Sequence, residues 1–310
     1  MPQIVTLTLN PAMDLTTAVT QVEPTRKLRC SLPRYDPGGG GINVARVVRN
    51  LGGQALAVYP AGGPFGDMLE RILSELQVPQ RTVPISADTR ESFTVDETST
   101  GQQFRFVLPG PALTAAEQQA CLEAMARAVP QPDWLVLSGS FPLGMQADFF
   151  ARFAALARQL GARLALDCSG EALRQAVALG GIDLLKPSLS ELAALVGRPL
   201  EARAEQEQAL RALIEQGAAR MIVLSLGEEG AVLAHAEGIE RFAALAVPVR
   251  SAVGAGDSMV GALVLALARG WTPREAVRFA MAAGAATVMC PGTGLCEREV
   301  VEQLYGAMPA

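Results

Sequence analysis

From residue 114 into the 240s, short apolar runs of strand length alternate with longer stretches at helical spacing. No other feature of the chain limits its fold as strongly. Strands are predicted at Trp134 to Ser138, Arg163 to Asp167, Leu184 to Lys186 and 220–225. Helices are predicted at 114–128, 146–160, 171–179, Ser188 to Val196 and 202–216. The same alternation opens the chain, with strands Ile4 to Leu9 and Ala55 to Tyr59 and helices over 42–51 and 65–76. It closes with a hairpin at 230–247 and helices at 256–269, 273–288 and 297–307. A strand that returns through a helix lies parallel to its predecessor, and the helices then cover the sheet faces. The expected class is therefore α/β with a mostly parallel central sheet. Ligands in such sheets bind beyond the carboxyl ends of the strands. Asp14, Ser140, Asp167, Lys186, Gly227 and the loop before Asp257 all follow predicted strands.

Residues 81–108 interrupt the pattern. Glu91 to Asp96 and Gln103 to Leu108 alternate in polarity around Ser99-Thr100-Gly101, which reads as an antiparallel hairpin. With the Thr-rich stretch 15–35 it makes a small sheet apart from the main body. No linker or repeat divides the 310 residues, so one domain spanning 1–310 is expected. Hydrophobic residues make up 50% and charged residues 18% of the chain, which is a globular balance. The net charge of −5, with no basic patch, argues against nucleic acid and anionic membrane as partners. The apolar runs are broken too often to span a bilayer, and Pro2-Gln3-Ile4-Val5 lacks the basic start of a secretory leader. Five cysteines, without a C-x-x-C pair, fit neither a disulfide framework nor a zinc site, so a reducing cytoplasm is expected.

The densest chemical signal is Val253-Gly254-Ala255-Gly256-Asp257-Ser258, followed by an apolar helical run from Met259 to Leu267. Small residues opening a helix point backbone N–H groups and the positive end of the helix dipole at one place, which suits an anion. Asp257 puts one carboxylate there. A base beside an anion hole suits phosphoryl transfer, although a helix start with a capping Asp would read the same way. The single histidine, His235, sits at a predicted hairpin tip, so any general base is expected to be a carboxylate. Gly38 to Gly41 precede a helix carrying Asn43 and Arg46 on one face; this loop either cradles a ligand or is merely flexible. The only lysines are Lys27 and Lys186. Lys186-Pro187-Ser188-Leu189-Ser190-Glu191 places a cation and a carboxylate at one helix start, as a site or as a cap. Ser225-Leu226-Gly227-Glu228-Glu229-Gly230 either passes a nucleotide or connects a hairpin. There is no G-x-x-x-x-G-K-[ST] loop, so a nucleotide would be held by other means.

Gly38 to Ala45 resembles the first signature of the ribokinase-like (PfkB-type) carbohydrate kinases, and Val253 to Ser258 resembles the second. Thr6-Leu7-Thr8-Leu9-Asn10-Pro11 with Asp14 is similar to the opening of the branch acting on phosphorylated ketohexoses. The resemblance covers essentially the whole chain and is especially strong to the 6-phosphofructokinase members. It implies a Rossmann-like ribokinase fold with a β-sheet lid formed by 15–35 and 89–107. It implies ATP-dependent phosphorylation of fructose 6-phosphate at C1. Asp257 would be the base, and the amides of Gly254, Ala255 and Gly256 the anion hole. Asp14, Gly39, Gly40, Asn43 and Ser140 would hold the sugar. Arg90 and Arg105, with Lys27 or Arg29, would hold its phosphate. ATP would lie over Lys186, Ser188, Ser225, Gly227 and Gly230. Mg2+ would be held through water near Glu191, and K+ by backbone carbonyls around Ser251, Val253, Cys290 and Gly292.

The chain departs from the family in three places. Ser188 replaces the amide of the family's N-x-x-E element, Gly294 stands where relatives carry a larger residue, and Gly40 stands where 1-phosphofructokinases and tagatose-6-phosphate kinases have lysine. The last departure favours fructose 6-phosphate over tagatose 6-phosphate or fructose 1-phosphate. A sensor that binds a sugar phosphate without turnover is the reading from another class, and the intact Asp257 loop argues against it. An exposed lid sheet with open edges is an aggregation hazard unless paired. A homodimer joined lid to lid is therefore expected.

Overall fold

A computed structural model describes residues 3–308; Pro2, which heads the opening segment, lies outside the described residues. The main sheet has nine strands. In chain order they are β1 (Gln3–Leu7), β4 (Gln54–Ala61), β5 (Gln80–Pro84), β8 (Trp134–Ser138), β9 (Arg163–Asp167), β10 (Ile182–Leu185), β11 (Ala219–Ser225), β12 (Ala231–His235) and β13 (Gly238–Phe242). Their spatial order is β13-β12-β11-β10-β9-β8-β1-β4-β5. All pairings from β5 to β11 are parallel, and β12 and β13 add an antiparallel hairpin at one edge. The central strands of such a sheet are buried on both faces, which is why β1 and β8 read as unbroken buried runs.

The chain leaves β1 toward β4 on one side and later fills β8, β9 and β10 on the other. The strand order therefore reverses between β1 and β8, and a crevice opens beyond their carboxyl ends. Helix α1 (Gly40–Asn50) starts in that crevice. Helices α2 (Gly63–Glu75), α3 (Ala115–Ala126), α4 (Phe149–Leu160), α5 (Gly170–Leu179), α6 (Leu189–Val196), α7 (Arg203–Glu215), α8 (Ala255–Ala268), α9 (Pro273–Val288) and α10 (Arg298–Ala307) complete the layers. One core packs α1, α8 and α9 on one sheet face, and a second packs α3, α4 and α7 on the other. Three helix starts are set by the S/T-x-x-E pattern. Thr114 with Glu117, Ser188 with Glu191 and Thr272 with Glu275 each close a reciprocal capping box.

The small sheet is separate, with order β3-β2-β6-β7. Its strands are β2 (Ala12–Val19), β3 (Arg34–Gly38), β6 (Arg90–Glu97) and β7 (Gln103–Val107). Register divides its faces. Asp14 pairs with Asp36 and Ser92, and Arg105 pairs with Thr94, so Asp14, Arg90 and Arg105 share one face. Leu15 pairs with Phe93, Phe93 with Phe106 and Val95 with Phe104, so the other face is apolar.

Two expectations are corrected. Gly38 to Gly41 is not a free loop. Gly38 ends β3, Gly39 is the cap with φ 122°, and Gly40 and Gly41 already lie in the first turn of α1. The strand β5 was not expected. It is an edge strand in which only Val83 is buried, so it lacks the apolar run of its neighbours.

Candidate active site at the strand-order reversal

Gly254 caps the start of helix α8, and its φ of 76° places it in the left-handed region that favours glycine. Among the described residues, the amides of Gly254, Gly256 and Asp257 meet no acceptor, and that of Ala255 makes only a 3.5 Å contact to the Ala252 carbonyl. These are the orphan donors of a helix start, all facing one spot. Asp257 lies in this first turn and receives a hydrogen bond from Asn43 Nδ2 at 2.9 Å. Burial pushes its carboxyl up to about 6. The Asp167 charge adds to the rise, while the Asn43 bond and the Lys186 ammonium oppose it. A carboxylate titrating near 6 is poised to accept a proton at neutral pH.

The small sheet brings the residues expected on the sugar side over the same crevice. Burial also raises Asp14 to about 6, against the pull of the Arg90 and Arg105 guanidiniums. Arg90 donates to the carbonyls of Leu108 (3.0 Å) and Asn10 (3.2 Å) and is partly buried, whereas Arg105 is exposed. Asn10 donates to Ser140 Oγ at 3.1 Å, which ties the ends of β1 and β8 together. Gly40 is required by close approach. A Cβ there would collide with Ser138 Oγ and lie 2.7 Å from the Gly139 nitrogen. The expected Asp14, Gly39, Gly40, Asn43, Arg90, Arg105 and Ser140 thus border one crevice with Asp257. Lys27 and Arg29 do not join them. They lie exposed between β2 and β3, with no hydrogen bond or ion pair to the site among the described residues.

The expected nucleotide residues gather at the ends of β10 and β11. The Ser225 backbone nitrogen donates to the Pro187 carbonyl at 2.9 Å, and Ser188 bridges to Ser225. Gly227 is exposed and opens a single 3-10 turn with φ 59°. Gly230 is buried, and a Cβ there would collide with the Phe242 carbonyl, so hairpin packing alone accounts for that glycine. Glu191 is engaged by the cap. Its Oε2 accepts from the Ser188 backbone nitrogen (2.7 Å) and from Ser188 Oγ (2.8 Å).

Lys186 is only 5% exposed and lies 3.1 Å from the Asp167 carboxylate. Burial works against its ammonium, yet the Asp167 charge holds its pKa above the ordinary lysine value. Asp167 is a candidate site residue that the sequence places at the end of a strand but to which it assigns no role. Its partner is 19 positions away, and the parallel pairing of β9 with β10 sets the two side by side. Near the start of α8, the carbonyls of Ser251, Val253, Cys290 and Gly292 receive no hydrogen bond among the described residues. Gly294 has little room for a side chain, since a Cβ would sit 3.0 Å from that of Cys290.

Residues 4–300 match the pfkB family carbohydrate kinase model, and the chain belongs to that family. It is similar to the ATP-dependent 6-phosphofructokinase isozyme 2 of Mycobacterium tuberculosis, with 48% identity over 98% of this chain and 89% of that one. The isozyme 2 enzyme of Escherichia coli is 41% identical over 98% of both chains. Crystal structures of the Escherichia coli phosphofructokinase-2 in complex with fructose-6-phosphate and with potassium superpose with TM-scores of 0.93 and 0.94, at 40% identity over 99% of both chains. Arabidopsis thaliana ribokinase, 20% identical over 98% of both chains, shares the fold with a TM-score of 0.77.

Proposed function

We propose that this chain is an ATP-dependent 6-phosphofructokinase that phosphorylates fructose 6-phosphate at C1. The observation that carries the reading is Asp257, a buried carboxylate with a pKa near 6 set among unpaired amides at the start of α8. Asp257 accepts the proton of the acceptor hydroxyl, and the amides of Gly254, Ala255 and Gly256 hold the charge of the transferring phosphoryl group. Asp14, Gly39, Gly40, Asn43 and Ser140 orient the sugar. Arg90 and Arg105 hold its phosphate with bidentate, charge-assisted bonds. Lys27 and Arg29 would join only if their segment moves toward the body. The small sheet, as a lid over 15–35 and 89–107, would exclude water. Glycine at position 40, where the kinases for the sister acceptors carry lysine, supports fructose 6-phosphate.

Lys186 and the segments at Ser188, Ser225, Gly227 and Gly230 would receive ATP. Among the described residues no cluster of His, Cys, Asp or Glu could form a metal cage. Magnesium would therefore arrive on the ATP phosphates, neutralising charge there, with Glu191 reaching it through water. The unpaired carbonyls of Ser251, Val253, Cys290 and Gly292 suit a weakly hydrated monovalent cation such as potassium. We place the protein in the cytoplasm, which suits five free thiols, and expect a homodimer through the apolar face of the lid.

The test is a coupled ADP-release assay with magnesium–ATP on fructose 6-phosphate, tagatose 6-phosphate and fructose 1-phosphate, for wild type and Asp257→Asn. Wild type should prefer fructose 6-phosphate, and kcat/KM should fall on the acid side with a midpoint near 6. The variant should lose roughly 10²–10⁴-fold in kcat. Preference for another acceptor, or near-normal turnover by the variant, would refute the reading.

A further inference from the structure

Arg46 stands one helical turn beyond Asn43 on α1, so the two side chains meet on one helix face. Arg46 Nη1 donates to Asn43 Oδ1 at 3.2 Å and to the Pro37 carbonyl at 3.2 Å. A guanidinium has donors only. The Asn43 atom that faces it must therefore be the carbonyl oxygen, and the amide nitrogen is then turned toward Asp257 Oδ2, 2.9 Å away. Without that partner the amide can rotate by half a turn. Its oxygen can then oppose the carboxylate, and that orientation, a conflict of two acceptors, is compatible with Asp257 only when Asp257 takes a proton.

We propose that Arg46 is a positioning residue for phosphoryl transfer: it locks the Asn43 amide so that a donor always faces Asp257, keeping the base ionised and aimed at the acceptor hydroxyl. This rests on the reading of Asp257 as the base. The guanidinium is suited to the task because it is itself held. Burial lowers its pKa below the ordinary arginine value, with Arg34 adding to the fall, while Asp36 and Asp14 favour the charge. The other charges felt by Asp257 are Asp167 at the end of β9, Lys186 after β10 and Asp14 on β2. None of these is removed by a change at position 46, but Arg46 also pulls against the rise of Asp14, so the double variant Arg46→Met/Asn43→Ala carries the distinction. Arg46 also borders a cavity of about 260 Å³ shared with Arg49, Asn50 and Glu297. A small solute can therefore approach the Arg46 side chain.

The experiment compares pH profiles of kcat/KM for fructose 6-phosphate at saturating magnesium–ATP, together with thermal midpoints, for Arg46→Met, Arg46→Lys, Asn43→Ala, the double variant Arg46→Met/Asn43→Ala, and Asp257→Asn. Methionine keeps the apolar stem without a donor. Its acid limb should move up by about one pH unit, which ionisation alone translates into about tenfold at pH 5 and about twofold at pH 7. Lysine, also a pure donor, should restore the limb. Asn43→Ala should raise the limb likewise, and adding Arg46→Met to it should raise it no further. Should Arg46→Met fail to fold, Arg46→Ala with millimolar guanidinium supplied to the cavity takes its place, and the added ion should return the limb toward wild type. The proposal is overturned if the Arg46→Met limb stays at the wild-type position, if the two shifts add in the double variant, or if guanidinium fails to restore Arg46→Ala. Near-normal turnover by Asp257→Asn would instead sink the base assignment; its loss together with an unmoved Arg46→Met limb would sink the positioning role alone.

Discussion

Truncating Asp167 to alanine should destabilise the protein through the ammonium it leaves behind. Lys186 is 5% exposed, and its Nζ is 3.1 Å from the Asp167 carboxylate, which is itself 13% exposed. Water cannot replace the lost partner, and the next carboxylates that act on the ammonium, Glu191 and Asp257, contribute less. Removing one member of a buried pair costs about 3–5 kcal/mol. Unfolding a chain of 310 residues carries an entropy of about 650 cal/mol/K near 60 °C, at about 2.1 cal/mol/K per residue. The thermal midpoint should therefore fall by about 5–8 °C. Replacing both partners, as Asp167→Leu/Lys186→Met, removes the stranded charge and should recover most of that loss. The double variant should still lack phosphotransfer, because the cation proposed to meet the nucleotide is gone. Calorimetry of the free protein and ADP release, run on wild type and both variants, separate the two effects. Equal destabilisation of the single and double variants would refute the reasoning, as would an Asp167→Ala midpoint at the wild-type value.

Arg90→Ala and Arg105→Ala should each lower kcat/KM for fructose 6-phosphate by about 10- to 100-fold, the worth of one charged hydrogen-bonded contact, and affect unphosphorylated fructose much less. Equal losses on both sugars would show that the arginines serve the fold or the nucleotide. Ser188→Asn should change the magnesium–ATP KM more than the sugar KM, since Ser188 and Glu191 close one capping box; a response confined to the sugar would displace the nucleotide from this helix start. Phe106 is 46% exposed and stacks on Phe93 at 4.6 Å, so Phe106→Glu should weaken a lid-to-lid dimer and raise the sugar KM together. Sedimentation showing a wild-type monomer would contradict that assembly.

Local patterns sufficed wherever a short segment determines its own structure. The alternation of strand and helix implied a parallel sheet, because a helical crossover leaves little choice of direction. Thr114, Ser188 and Thr272 start helices because a hydroxyl and a glutamate three residues on satisfy the first free amides. Gly254-Ala255-Gly256-Asp257 marked a candidate anion site for the same reason: its donors belong to the segment itself. The resemblance to a kinase family then supplied roles that no local pattern could assign. Tertiary structure decided what depends on neighbours distant in sequence. Strand order put Asp167 beside Lys186 and opened the crevice between β1 and β8. The edge strand β5 has too little apolar surface to announce itself and forms because β4 offers its backbone. Gly40 belongs to a helix pressed against Ser138, a contact that only the packed sheet creates. Asn43 faces Asp257 across 214 positions, and only folding could show that Arg46 holds it there, because the chain of donors runs through space and not along the sequence.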